Sequence, residues 1–212
     1  MRITKHEHAC LQIESAGSTL VIDPGSMTTA LVGLTNVVAV VITHQHADHW
    51  TPEQLHRILE DNSGAVVFGP PGVAAAASGF DVTIVRDGDE VEAGSFTLRF
   101  FGEKHAVIHS SLPVVDNVGV LVNGQLYYAG DSFTIPDGVE VDTVAVPAGA
   151  PWMKIGEAMD YVLALKPRRA FPTHEMVLSV AGKGLSNQRL KEVTEINGGE
   201  YFPLEPSQSL DL

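Results

Sequence analysis

The sequence predicts an α/β fold in which two β-sheets pack face to face and helices cover their outer surfaces. Three observations predict it. Short strand-type runs fill both halves of the chain, bounded by Asp-Pro-Gly, Asn-Gly and similar turn signals. Val37 to Ile42 is apolar at every position, the mark of a strand inside a sheet covered on both faces. Helical patterns enter late in each half, where they can cover a sheet already laid down.

Each element has its own reason. Ala9 to Ile13 alternates loosely, and Thr19 to Ile22 is a buried run that ends at Asp23-Pro24-Gly25. Thr51-Pro52-Glu53-Gln54 is a helix start, with Thr as N-cap, Pro in the first turn and Gln closing a capping box. Leu55, Ile58 and Leu59 then share one helical face. Ala65 to Phe68 is a short strand and Val73 to Ala77 a helix of small residues. From Asp81 to Phe101 the pattern is a β-meander turning at Asp87-Gly88-Asp89 and at Ala93-Gly94. Gly119 to Val122 and Leu126 to Tyr128 form a hairpin around Asn123-Gly124, the strongest short hairpin signal. Val141 to Val146 is a further buried strand. Ile155, Met159, Val162 and Leu163 make a helix stopped by Lys166-Pro167, Arg169 to Phe171 a last strand, and Leu185 to Ile196 a last helix.

Composition narrows the function. The chain has 212 residues, 44% of them apolar, with 13 Lys+Arg against 26 Asp+Glu and a net charge of −13. One domain spanning residues 1–212 is expected at this length. Phosphate backbones are held by clustered basic residues, and here those are few and scattered, so a nucleic-acid partner is not expected. The single cysteine, Cys10, excludes a disulfide scaffold and reads as core. No apolar run approaches the about 18–20 residues of a membrane span, and the polar N-terminus lacks a signal-peptide core, so a cytoplasmic protein is expected.

Nine histidines are unevenly placed. The sharpest feature is Thr43-His44-Gln45-His46-Ala47-Asp48-His49, lying between the buried strand and the helix that Thr51 starts. Imidazole and carboxylate are the donors that borderline divalent metals such as zinc take at about 2.0–2.2 Å. His44 and His46 project alike in an extended segment, whereas the turn into the helix aims Asp48 and His49 at a second point. One motif can therefore serve two adjacent metals.

His44-Gln45-His46-Ala47-Asp48-His49 resembles the HxHxDH signature of the metallo-β-lactamase superfamily. His8-Ala9-Cys10 is similar to the GHA opening of its lactonase-like and phospholipase-D-like branch, although Glu7 stands where that branch has Gly. Val21 to Gly25, Tyr128 to Ser132 and Phe171 to His174 resemble its DPG, GD and late-histidine elements, so the resemblance covers essentially the whole chain. It implies a four-layer αββα sandwich of two mixed sheets and two divalent metal ions, zinc foremost, with manganese or iron also accepted. It further implies His44, His46 and a third histidine at the first metal, and Asp48, His49 and His174 at the second, with Asp131 bridging. The third histidine is His105 or His109; the family ligand follows closely on the strand end, which favours His105.

Other residues have two readings. Asp23 either fixes the tautomer of a ligand histidine or only shapes a turn. His8 faces the metals as a proton donor or satisfies a core hydrogen bond. The histidine of the pair 105 and 109 that is not a ligand contacts substrate at the rim or lies on the surface. His6 and His56 face solvent. Trp50 and Trp152 line an apolar pocket or belong to the core.

Two metals of this kind suit hydrolysis of an ester, lactone or phosphodiester of a small or amphiphilic molecule, with Asp48 orienting the attacking hydroxide. A nuclease of the same superfamily, a redox di-iron protein and a non-catalytic metal-binding module are the competing readings. The acidic charge opposes the first, the lack of chain for a flavin domain the second, and the full set of ligand positions the third.

Overall fold

The computed structural model describes residues 1–212. Strands β1 (Arg2–Lys5), β2 (Leu11–Ser15), β3 (Ser18–Ile22), β4 (Val37–Val41), β5 (Val66–Gly69), β6 (Val82–Ile84) and the C-terminal β14 (Ser209–Asp211) form one sheet, in the order β14-β1-β2-β3-β4-β5-β6. Strands β7 (Glu90–Ala93), β8 (Phe96–Phe101), β9 (Gly119–Val122), β10 (Leu126–Tyr128), β11 (Thr143–Pro147), β12 (Arg169–Thr173) and β13 (Glu200–Tyr201) form the other, in the order β13-β12-β11-β10-β9-β8-β7. Both sheets are mixed. Hairpin-linked strands pair antiparallel on one side and crossover-linked strands pair parallel on the other.

Alternation along the strands builds the layers. Leu20, Ile22, Ala39 and Val41 of the first sheet meet Phe96, Leu98, Phe100 and Val120 of the second between the sheets. Their neighbours Val21, Val40 and Ile42 point outward to Leu55 and Ile58 of α1 (Pro52–Asp61) and Val73 of α2 (Pro71–Ala76). This double burial is why Val37 to Ile42 carries no polar residue. On the far side Tyr127, Val144 and Val146 pack on Ala158 and Val162 of α3 (Ile155–Leu165) and on Leu190 and Val193 of α4 (Val180–Ile196). The result is the αββα sandwich the sequence predicts. No helix is long and apolar enough to cross a membrane.

The structure departs from the sequence reading in places. The segment from Asp81 to Phe101 is not one meander. β6 lies parallel to β5 at the edge of the first sheet, and the turn at Asp87-Gly88 carries the chain to the second. The short helix α2 supplies the crossover that parallel pairing needs, which local alternation does not reveal. Gln54 closes no capping box: Thr51 accepts from the Gln54 backbone N–H, but the Gln54 side chain reaches Thr28, Thr29 and Leu31 instead. β1, β13 and β14 are strands the sequence reading left unassigned. The last helix begins at Val180, capped by the Ser179 hydroxyl, despite Gly182 and Gly184 in its first turns.

Candidate metal centre

β3, β4, β8, β10, β11 and β12 all end at the same rim of the sandwich. The loops beyond their carboxyl ends carry Asp23, His44 to His49, His105, Asp131, Trp152 and His174, in that order. Binding residues of α/β sheets gather at such strand ends because the loops there converge while the strands stay rigid. The two sheets are stitched together at this rim. Val118 N–H donates to Thr43 O, and His44 and Asn117 form an isolated antiparallel bridge.

Two glycines let the loops close. A Cβ on Gly25 would lie 1.8 Å from the Asp48 carbonyl oxygen, so the Asp-Pro-Gly turn can seat the histidine-rich loop only with glycine there. Gly130 adopts φ +63°, and a Cβ on it would meet Asn117 Oδ1 at 2.5 Å and Thr43 Cβ at 2.7 Å. Three other site residues, His8, Asp23 and His174, take positive φ of 60°, 48° and 59° without being glycine. Such backbone costs about 1–3 kcal/mol per residue and persists where surroundings impose it.

The side chains form two adjoining groups. His44, His46 and His105 stand together, with ring centroids 4.7–4.9 Å apart. Asp48, His49 and His174 form the second group, with His8 beside them. Asp131 lies between: its Oδ1 is 3.2 Å from His49 Nε2, and its Oδ2 is 3.1 Å from His174 Nε2 and 3.3 Å from His105 Nε2. His174 Nε2 is also 3.5 Å from Asp48 Oδ2. All are buried except His46 and Asp48, which are half-buried at the mouth. His109 stands apart, exposed, with Ser111 on its Nδ1. Of the two candidates for third histidine, His105 is therefore the one brought to His44 and His46.

Four imidazoles are held by one nitrogen and left open at the other. His49 Nδ1–H donates to Asp23 Oδ2 at 2.6 Å, His105 Nδ1–H to the Ala106 carbonyl at 2.5 Å, and His174 Nδ1–H to the Gly149 carbonyl at 2.8 Å. Thr43 Oγ1 donates to Asp23 Oδ2 at 2.7 Å, so its lone pair accepts from His44 Nδ1–H at 3.1 Å. Nδ1 thus carries a proton in each ring, and Nε2 is the nitrogen left to meet a metal once the ring is neutral. The Nε2 atoms of His44, His49, His105 and His174 are buried without any hydrogen-bond partner, as is Asp131 Oδ1. Buried polar atoms are rarely left so. Two donors at about 2.0–2.2 Å from one tetrahedral ion stand about 3.3–3.6 Å apart, close to the separations above, so the donor set fits divalent metal.

The electrostatics divide the rings. Burial pushes His44 and His46 below the usual imidazole range, and the neighbouring rings add to it, so both stay neutral. Burial also opposes charge on His49 and His174, but Asp131 outweighs it. His49 is held well above the usual range, with Asp23 contributing, and His174 is raised to about 9. Asp131 and Asp48 remain anionic: burial works against them, and the surrounding histidines prevail.

Three contributors were not legible as such. Asn117 accepts from Asp131 N–H and donates to the Ala129 carbonyl, holding the Gly130 turn. Thr43 links Asp23 to His44. Trp152, read as pocket wall or core, donates its indole N–H to Asp131 Oδ2 at 2.7 Å. Trp50 does lie in the core between the first sheet and α1.

Residues 2–174 match the family model described as a β-lactamase superfamily domain. Protein Rv0786c of Mycobacterium tuberculosis is 39% identical over 214 residues, covering 99% of this chain and 98% of its own. Among solved structures, the metallo-β-lactamase fold protein YhfI of Bacillus subtilis superposes with TM-score 0.75 at 16% identity, over 99% of this chain and 98% of that one. The diiron β-hydroxylase CmlA of Streptomyces venezuelae does so with TM-score 0.73 at 18% identity, where the whole chain spans 54% of that protein's length. The chain belongs to the β-lactamase superfamily and has the metallo-β-lactamase fold.

Proposed function

We propose that this protein is a metal-dependent hydrolase of an ester, lactone or phosphodiester bond in a small or amphiphilic molecule. The observation that carries the reading is the convergence of four buried, unpartnered Nε2 atoms on the Asp131 carboxylate, each on a ring whose Nδ1 is tied to an acceptor. His44, His46 and His105 would hold one ion, Asp48, His49 and His174 a second, and Asp131 both. Two divalent ions bound there, zinc foremost, would supply a nucleophilic water at neutral pH and polarisation of the carbonyl or phosphoryl oxygen under attack.

The chain's own groups do the rest. Asp48 is the acidic donor within reach of solvent, its side chain 27% exposed, so it meets both incoming water and substrate. His8 Nε2–H donates to Asp48 Oδ2 at 3.1 Å, which orients the carboxylate and leaves Oδ1 to accept a hydrogen bond that orients the attacking water. Asp23 sets the tautomers of one ring in each group and excludes rotation of either.

The test is elemental mass spectrometry of protein purified without added metal, followed by turnover of p-nitrophenyl acetate, an acyl-homoserine lactone and bis-p-nitrophenyl phosphate. About two equivalents of metal per chain and hydrolysis of at least one compound are expected. Absence of metal even after zinc, manganese or iron is supplied would overturn the reading. So would a loaded protein that consumes oxygen with a reductant and hydrolyses none of the three.

A further inference from the structure

Trp152 follows β11 in the segment Ala148 to Trp152, which supplies none of the ligands assigned above. In the sheet, β11 lies between β10 and β12, whose ends carry Asp131 and His174. Its loop therefore emerges between two ligand-bearing loops and contacts both. The Gly149 carbonyl accepts from His174 Nδ1–H, and the Trp152 indole N–H donates to Asp131 Oδ2.

Asp131 is held at two levels. Its backbone is fixed from both sides: its N–H donates to Asn117 Oδ1 at 3.0 Å, and its carbonyl accepts from Ala106 N–H at 2.8 Å. Apart from the imidazoles of His49, His105 and His174, whose Nε2 atoms stand 3.1–3.3 Å away, its carboxylate has one hydrogen-bond donor, the Trp152 indole on Oδ2. The terminal torsion of aspartate is broad and roughly two-fold, so backbone restraint alone leaves the carboxylate plane free to turn. An indole N–H donates and neither accepts nor titrates in the ordinary pH range, so it holds one oxygen whatever the occupancy or pH. The ring itself is wedged in place. Phe133 packs edge-on at 5.2 Å and is backed by Tyr161, and the His105 and His174 rings lie edge-on at 5.8 Å and 6.3 Å. Trp152 is 8% exposed and Asp131 3%.

We infer that Trp152 is a positioning residue for Asp131: its indole N–H fixes the carboxylate plane so that Asp131 can serve both groups of imidazoles at once. The inference rests on the metal-centre reading above and adds a residue that supplies no ligand of its own and acts through Asp131. It also makes the Ala148–Trp152 loop the element that aligns ligands borne by its two neighbours.

Trp152→Phe removes the N–H and keeps an aromatic ring against Phe133. Zinc affinity is measured by competition with a chromophoric chelator, beside the visible absorption spectrum of the cobalt-loaded protein and the melting temperature of the metal-free protein. Loss of a hydrogen-bond partner to a ligand costs about tenfold to a hundredfold in metal affinity. We expect a loss in that range for Trp152→Phe and a shifted cobalt spectrum, with Trp152→His, which restores a ring N–H, recovering at least part of both. Wild-type affinity and an unchanged spectrum in Trp152→Phe would overturn the inference alone. Equal losses in the Phe and His variants would also overturn it, since packing rather than the N–H would then be responsible. A wild-type chain that takes up no zinc would overturn the metal-centre reading, and this inference with it.

Discussion

Asp23 holds two imidazoles at once, His49 directly and His44 through the Thr43 hydroxyl, and it does so from a left-handed backbone conformation. A carboxylate at a strand end suggested such a contact in the sequence; that it reaches one ring in each group did not follow from spacing. The histidines after β8 differ in the same way. His105 is buried with its Nε2 open, whereas His109 is exposed and bonded to Ser111. His105→Ala should therefore lower zinc uptake by about one equivalent per chain, and His109→Ala should leave it at the wild-type value. Elemental analysis of the two variants decides it, and the reverse order would exchange their roles.

Protonation at this scale has a sign that can be measured. Asp131 raises His174 to about 9 against burial, so this ring is protonated near pH 7 in the metal-free protein. A pKa raised above the unfolded value of about 6.5 stabilises the metal-free fold fully below that pH, and the contribution fades as pH rises through about 9. Metal needs the neutral ring, so uptake must expel the proton. Zinc binding at pH 7 should release at least one proton per chain and strengthen as pH rises toward 9. Calorimetry in buffers of different ionisation enthalpy counts the protons; none released would remove His174 from the ligand set.

Among the elements, β1 shows what local sequence conceals. Arg2-Ile3-Thr4-Lys5 reads as a polar start, yet the alternation of the strand turns Ile3 and Lys5 inward. Lys5 is wholly buried against Glu175, the residue after His174, and His174 N–H donates to the His8 carbonyl at 2.9 Å. The ion pair and that backbone bond fasten the His8 loop to the His174 loop, which come from opposite ends of the chain. Removing one partner of a buried pair leaves an uncompensated charge and costs about 3–5 kcal/mol, whereas replacing both by apolar groups is often neutral. Lys5→Met should destabilise by that amount in urea unfolding, and Lys5→Met with Glu175→Leu should recover most of it. A cost below about 1 kcal/mol for the single variant would show that the pair does not fasten the loops.

At the scale of the whole molecule, the site exists because two sheets end at one rim. Neither sheet alone holds a complete set: the first supplies His44, His46, Asp48 and His49, the second His105, Asp131 and His174. The resemblance to a known family implied Asp131 and His174; the sequence by itself determined the layer architecture, the hairpin at Asn123-Gly124, the helix start at Thr51 and the donor run His44 to His49. These depend on alternation, turn chemistry and donor spacing, all properties of neighbouring residues. Tertiary structure alone decided that β6 joins the first sheet, that β14 returns to pair with β1, that Lys5 is buried, and that His105 rather than His109 enters the cluster. It alone brought the Trp152 indole to Asp131, 21 residues away. Such contacts follow from strand order, and strand order is settled by crossovers and packing between distant segments, which no local pattern records.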